Sequence, residues 1–173
     1  MTRARELTSR EYQENRIFHL PMIESNPHFN QQLHERILIL LYQKEFRQES
    51  VEFLNQLIED DCEAEGDYPL ADAPLYLTTQ ILSRIPEIDS HIQEFLENWS
   101  FDRIMVIDKE SLRIGIYELL YQKDMEPKII IDRLVRLSKK FGGENSGKFV
   151  NGILGAVFRK YIEIKDGIEK VHI

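Results

Sequence analysis

Gly142, Gly147 and Lys148 have the spacing of a chemical site. Gly-x-x-x-x-Gly-Lys frames a phosphate-binding loop, in which backbone N–H groups cradle phosphate oxygens and the lysine neutralises them. That chemistry needs a Ser or Thr hydroxyl next, to hold magnesium, but the next residue is Phe149. The residues before Gly142 also read as an amphipathic helix, whereas a phosphate loop follows a buried strand. The spacing therefore predicts a corner between two helices whose glycines allow close approach, with Gly152 and Gly155 doing the same inside the second helix. Elsewhere, residues 59–67 hold six carboxylates in nine positions. They lack the alternating ligands and closing glutamate of an EF-hand, so this run is expected to be a solvated connection. The histidines at 19, 28, 34, 91 and 172 show no metal-ligand spacing, Cys62 has no placed histidine partner, and no serine sits in a Gly-x-Ser-x-Gly elbow. Arg113 and Glu118 read as a buried structural ion pair, and Tyr42 and Tyr117 as aromatics at the core edge. Nothing in these patterns implies catalysis or a cofactor.

The elements that would position these residues are all helical. Asp108 is expected to cap a helix whose Leu112, Ile116, Leu119 and Leu120 share a face, with Met125 in its exit turn. Pro127 suits a first turn, and Ile130, Leu134, Leu137 and Phe141 follow at helical spacing. Gly142 and Gly143 end that helix, Ser146 is expected to cap the next, and Val150, Ile153, Leu154, Val157 and Tyr161 form its stripe. Upstream, Leu33, Ile37, Leu40 and Leu41 should face inward, with Glu35, Arg36 and Lys44 outward. A second helix is expected over residues 51–62 through Phe53, Leu54, Leu57 and Ile58. A third starts at Asp72 and Pro74 and is ended by Pro86. A fourth packs through Ile88, Ile92, Phe95, Leu96 and Trp99.

Composition bounds the function. The 173 residues suit one domain with a real core, and 42% hydrophobic with 30% charged residues is an ordinary globular balance. No apolar run approaches the ~18 residues of a membrane span, and no apolar signal core follows Met1. A lone cysteine points to a reducing cytoplasm. A net charge of −8 means that any nucleic-acid affinity must come from a local cationic patch or from a partner. Residues 1–30 read as an extension with Arg3, Arg5, Arg10 and Arg16, either a basic arm that reaches nucleic acid or a loosely docked leader. In residues 162–173, Asp166-Gly167 favours a two-residue hairpin turn that opposes Glu163 to Lys170 and Ile162 to Val171. The competing reading runs the last helix on to Lys165; the apolar Ile168, Val171 and Ile173 favour the hairpin.

Several linked motifs occur in order: Trp99-x-x-x-Arg103, Leu112-Arg113-x-x-x-Tyr117-Glu118-Leu119, Pro127, and Lys139-x-Phe141-Gly142-x-Glu144-x-Ser146-x-Lys148-Phe149-Val150-Asn151-Gly152. Together they resemble the NusB family of bacterial transcription antitermination factors, over residues 32–160 and most strongly after Asp89. The resemblance implies an all-α fold of about seven core helices in two packed helical subdomains joined near residues 68–72. It divides the chain into an extension (1–30), a NusB-like domain (31–161) and a tail or hairpin (162–173). It also implies a cytoplasmic, non-enzymatic adaptor that binds boxA RNA of ribosomal RNA operons with the ribosomal protein NusE, within the transcription elongation complex. The RNA surface carried over by position is His34, Arg36 and Tyr42 on the first core helix, with Asp108, Lys109, Asn145, Lys148 and Phe149 beside it. The family's first helix opens with an arginine-rich run, where this chain has Asn30, Gln31, Gln32 and His34, with Arg36 nearby. That departure leaves a second class open: a diverged module that has lost RNA binding and docks proteins or self-associates, for instance as a homodimer. RNA cytosine methyltransferases carry a similar domain ahead of a large catalytic domain, for which this chain has neither the length nor the Gly-rich loop.

Overall fold

The structure is a computed structural model that describes residues 27–54, 56, 72–97, 99–122 and 125–163. The basic arm at positions 3–16, the acidic run 59–67 with Cys62, and the tail beyond residue 163 lie outside them. Among the described residues every regular element is helical: α1 (Pro27–Phe46), α2 (Asp72–Leu82), α3 (Ile85–Glu94), a 3-10 turn (Phe101–Arg103), α4 (Val106–Tyr121), α5 (Pro127–Gly142) and α6 (Glu144–Phe158), which runs into a π-helical turn (Arg159–Glu163). Residues 51–54 form a further helical segment, so the all-α expectation of about seven helices holds.

α4 is the axis of the fold. From Glu110 to Leu119 every residue is buried, because α1, α3, α5 and α6 all pack around it. An amphipathic stripe would leave one face of such a helix wet. Here Ile114 is as buried as Leu112 and Ile116, and the polar Glu110, Arg113 and Glu118 are enclosed as well. The N-terminal helices contribute Leu33, Ile37, Leu41, Leu77 and Ile81 to the same continuous core as Ile130, Leu134, Val150 and Leu154 of α5 and α6. Leu40, Val51 and Leu54 form a small satellite beside it.

The corner between α5 and α6 is the one the glycine spacing predicted. Gly143 adopts a φ of +93°, which favours glycine, and so ends α5 and starts α6 in a single residue. A side chain at Gly147 would meet the Val135 carbonyl oxygen at 3.4 Å, so its bareness lets the two helices close up. The close approach expected at Gly152 is absent, since a Cβ there would meet nothing within 4 Å, and at Gly155 it would meet only the tip of Arg159. The tight positions are Gly142, where a Cβ would lie 2.8 Å from the Ser146 Cβ, and Gly115 on α4, where it would lie 2.7 Å from a methyl of the fully buried Leu154.

Several local expectations are corrected. α1 opens at Pro27, at a position where a missing N–H costs nothing. Pro86 likewise sits in the first turn of α3 instead of ending α2, which has already stopped at Leu82. Asp108 is not the cap of α4: Met105 holds that place, and Asp108 lies inside the first turn. Ser146 is buried inside α6 rather than at its cap. Trp99 falls beyond the end of α3 and is 51% exposed, with the Arg103 guanidinium 5.2 Å from its ring centre. Ile162 and Glu163, read as the first strand residues of the hairpin, are helical, and the rest of that hairpin lies outside the described residues. Tyr161 anchors that turn, its ring 4.7 Å from His91 and its hydroxyl donating to Glu94, which also pairs with Lys160.

The same substitution should therefore have opposite signs at two glycines. Gly152→Ala should stabilise by about 0.5–1 kcal/mol, the helix-propensity gain at an open site. Gly115→Ala should destabilise by about 1–2 kcal/mol, because Leu154 has no room to retreat. Urea unfolding of both variants measures the two signs.

Candidate nucleic-acid interface

α1 runs antiparallel to α4, which the cross-helix pairs register: His34 meets Glu118 at one end, and Glu45 meets Lys109 and Arg113 at the other. His34 is buried, with Nε2 2.6 Å from Glu118 Oε1. Arg36, expected to face solvent, is only 6% exposed, because α1 is covered by α2, α4 and α5 and has little outer face left. The start of α1 thus carries two of the expected RNA residues inward. Tyr42, at the far end, is exposed and its ring lies 5.1 Å from that of Phe46.

Lys109 continues this surface. Its ammonium pairs with Glu45, next to Phe46, and lies 5.9 Å from the centre of the Phe101 ring. The neighbouring Asp108 faces the Ser146 hydroxyl, which brings the first turn of α4 up to the first turn of α6. Burial pushes the Asp108 carboxyl above its ordinary range, and the nearby Ser146 hydroxyl partly offsets this. That contact sets Asn145 and Lys148 on the surface beside the start of α4, with Phe149 half-buried against the core. Tyr42 and Lys109 therefore lie where the end of α1 meets the start of α4, and Asn145, Lys148 and Phe149 lie in the first two turns of α6, the helix whose Ser146 faces Asp108. His34 and Arg36 do not join them: Glu118 lies nine residues, roughly 14 Å, along α4 from Lys109.

The polar residues beneath this surface form the buried cluster that reading Arg113 with Glu118 only half anticipated. Both are buried and paired, but not with each other. Arg113 forks onto Asp89 of α3, with Nε 2.8 Å from Oδ1 and Nη2 2.7 Å from Oδ2. Its Nη1 donates to Glu110 at 2.7 Å and to Glu45 of α1 at 3.4 Å. Asp89, Glu110 and Glu45 were not singled out from the sequence. Only the Glu110–Arg113 spacing of one helical turn carried a signal, since the other two partners are 24 and 68 residues away. Glu110 is fully buried, its Oε2 has no hydrogen-bond partner, and desolvation raises its pKa to about 7 against the pull of Arg113.

Among the described residues no group of three His, Cys, Asp or Glu side chains is placed to hold a metal, and no helix is long and apolar enough to cross a membrane.

Because the folded chain holds the Glu110 proton more tightly than the unfolded chain does, stability should be greatest below about pH 4.5 as far as this group decides it, and should fall as pH rises to about 7. The loss is up to about 3 kcal/mol. Asp108 acts in the same sense, so Glu110→Gln isolates the larger contribution. Denaturant midpoints for both proteins at pH 5 and pH 7.5 should show a clear decline in the parent and a flatter profile in the variant.

Comparison with known proteins places this architecture. The NusB family profile matches residues 31–159. The transcription antitermination protein NusB of Pseudothermotoga lettingae is 35% identical over 130 residues, 75% of this chain and 90% of that protein. The NusB of Fervidobacterium nodosum is 33% identical over 75% of this chain and 89% of its own length. That of Chloroherpeton thalassium is 34% identical, with the match spanning 61% of its length. Among solved structures, one of the antitermination factors NusB and NusE in complex with dsRNA superposes with a TM-score of 0.68 at 28% identity, covering 79% of this chain and all of that one. A T. maritima NusB structure gives 0.65 at 33% identity, over 75% of this chain and 90% of its own.

Proposed function

The chain belongs to the NusB family, and from that premise we propose that it is a non-enzymatic RNA-binding adaptor of transcription antitermination. In this reading it acts in the cytoplasm, takes up boxA RNA of ribosomal RNA operons together with NusE, and joins the elongation complex with them. The observation that carries the reading is the junction of α1, α4 and α6. Lys148 and Asn145 stand exposed at the start of α6, and where α1 meets α4 the Glu45-paired Lys109 lies by Phe101, with Tyr42 and Phe46 adding aromatic surface. Cations position phosphates and ring faces stack bases, which is how single-stranded RNA is held without a basic chain. The solved NusB–NusE–dsRNA assembly shows that a relative of this fold binds both partners.

A specific observation favours the second reading, a protein-docking or self-associating module without RNA affinity. His34 is committed to Glu118 inside the protein, so the start of α1 does not present the cationic run of the family. A gel shift with boxA-type RNA, with and without NusE, separates the two, and absence of any shift under both conditions favours the docking module.

For the RNA reading, Lys148→Glu should weaken binding to every RNA sequence and make the salt dependence shallower by about 0.7 log units per log unit of salt, one phosphate's worth. Phe149→Ala should cost ~1–3 kcal/mol of RNA affinity if the ring stacks a base. A large drop in melting temperature with RNA affinity intact would instead assign Phe149 to the core.

A further inference from the structure

α5 carries five cations, Lys128, Arg133, Arg136, Lys139 and Lys140, against one carboxylate, Asp132. This is the reverse of the chain as a whole, whose net charge is −8. Arg133, Arg136 and Lys140 recur at i, i+3 and i+7, so they lie on one face over two turns, about 10 Å. That face borders a groove of about 540 Å³ between α5 and the start of α1, whose near wall is Gln31 and Glu35. We propose that this groove is an RNA-backbone site, in which the α5 cations stand in for the arginine run missing from the start of α1. The proposal rests on the RNA-binding reading above and extends the RNA path from the α1–α4–α6 corner along the opposite flank of α1.

The local chemistry supports a polyanion as occupant. Arg133 bonds to Met125 Sδ at 2.9 Å, a weak acceptor, and among the described residues no carboxylate forms an ion pair with its guanidinium. Arg136 is paired with Asp132 at 3.0 Å, but the two side chains are 79% and 58% exposed. Lys140 reaches across the groove to Glu35 at 2.6 Å and is itself 51% exposed. The exposed Arg136–Asp132 pair holds its cation weakly, so an incoming phosphate can take it over, and Glu35, 22% exposed, keeps the Gln31 amide as a donor when Lys140 turns to the phosphate. The arginine fork also suits two oxygens of one phosphate, which a protein carboxylate on a flexible side chain matches no better. The groove floor includes Ile129 and Leu137, apolar surface that can lie beneath a sugar or base.

The test compares the full chain with R133Q/R136Q and R133K/R136K, in the presence of NusE, by fluorescence anisotropy on a labelled boxA-type oligonucleotide from 50 to 300 mM salt. Removing two phosphate contacts should lower affinity about 25-fold at 0.1 M salt and make the log–log salt slope shallower by about 1.4. The lysine variant should keep most of both, which a merely structural role for the two arginines would not predict. Circular dichroism melts establish that all three chains are folded. If the parent binds RNA and the glutamine variant binds it equally, with the same slope, the proposal is overturned and the groove falls to an acidic protein segment. If the parent itself does not bind, the RNA reading fails and takes this proposal with it.

Discussion

The helix arrangement depends on one buried cation. Arg113 sits in the middle of α4 and is held by carboxylates from three helices, Asp89 of α3, Glu110 of α4 and Glu45 of α1. A guanidinium taken out of water is tolerable only if its donors are met with good geometry, and the two-pronged contact with Asp89 provides that. Removing one partner from such a cluster typically costs ~3–5 kcal/mol, a large part of the ~5–15 kcal/mol that keeps a domain folded. The cluster thus fixes how α1 and α3 are seated on α4, and with them the corner where α1, α4 and α6 meet. Counting charges explains its one odd member. Three carboxylates face two cations, Arg113 and Lys109, and the surplus is relieved at Glu110, the most buried of the three, where desolvation favours the neutral acid.

An acidic chain that binds RNA must separate its charges in space. The carboxylates of this fold are spent in two ways: inside, on Arg113 and His34, and outside, in exposed pairs with lysines and arginines. The interior pairs are fixed. The exterior ones are exchangeable, and they concentrate along α5 and the first turn of α6. Long-range attraction is weak for a protein of net charge −8, so a partner or a pair of adjoining cationic strips has to supply the encounter that a basic protein obtains from its overall field.

Much of this fold was legible in the sequence, and what was not has identifiable causes. Proline and glycine punctuation placed the α5 boundaries, because Pro127 and Gly143 act through local backbone geometry alone. Apolar spacing picked out the core of α5 and α6, where one face is wet, except at Phe141, which is 41% exposed at the end of α5. On α1 and α4 it picked out buried positions too, but these helices are enclosed on several sides, so it missed Ile114 and gave Arg36 a false outward direction. Pair assignments failed for another reason. Helical spacing reports only neighbours one turn away, so Asp89 for Arg113, and His34 for Glu118, needed the tertiary packing. The family resemblance transferred the fold but carried site residues by position, and position does not say whether a side chain is covered. Asn145 and Lys148 stand outside, whereas His34 and Arg36 do not.

That last contrast has a physical origin in the His34–Glu118 contact. Glu118 is 4% exposed and needs a donor, and a neutral or protonated imidazole 2.6 Å away meets that need within the width of the α1–α4 packing. An arginine at position 34 would project two more bonds beyond the histidine ring, into the space where α1, α4 and α5 converge, and would add another guanidinium to those of Arg36 and Arg113 already buried. With histidine there, this turn of α1 can pack closely on α4, at the cost of presenting no charge of its own to an RNA strand. Cationic surface for that flank then has to come from the next helix across the groove. α5 is so placed, since it packs on both α4 and α1 and turns Arg133, Arg136 and Lys140 towards the α1 side. Close packing at the start of α1 and a charged face on α5 are, in this view, two parts of one arrangement.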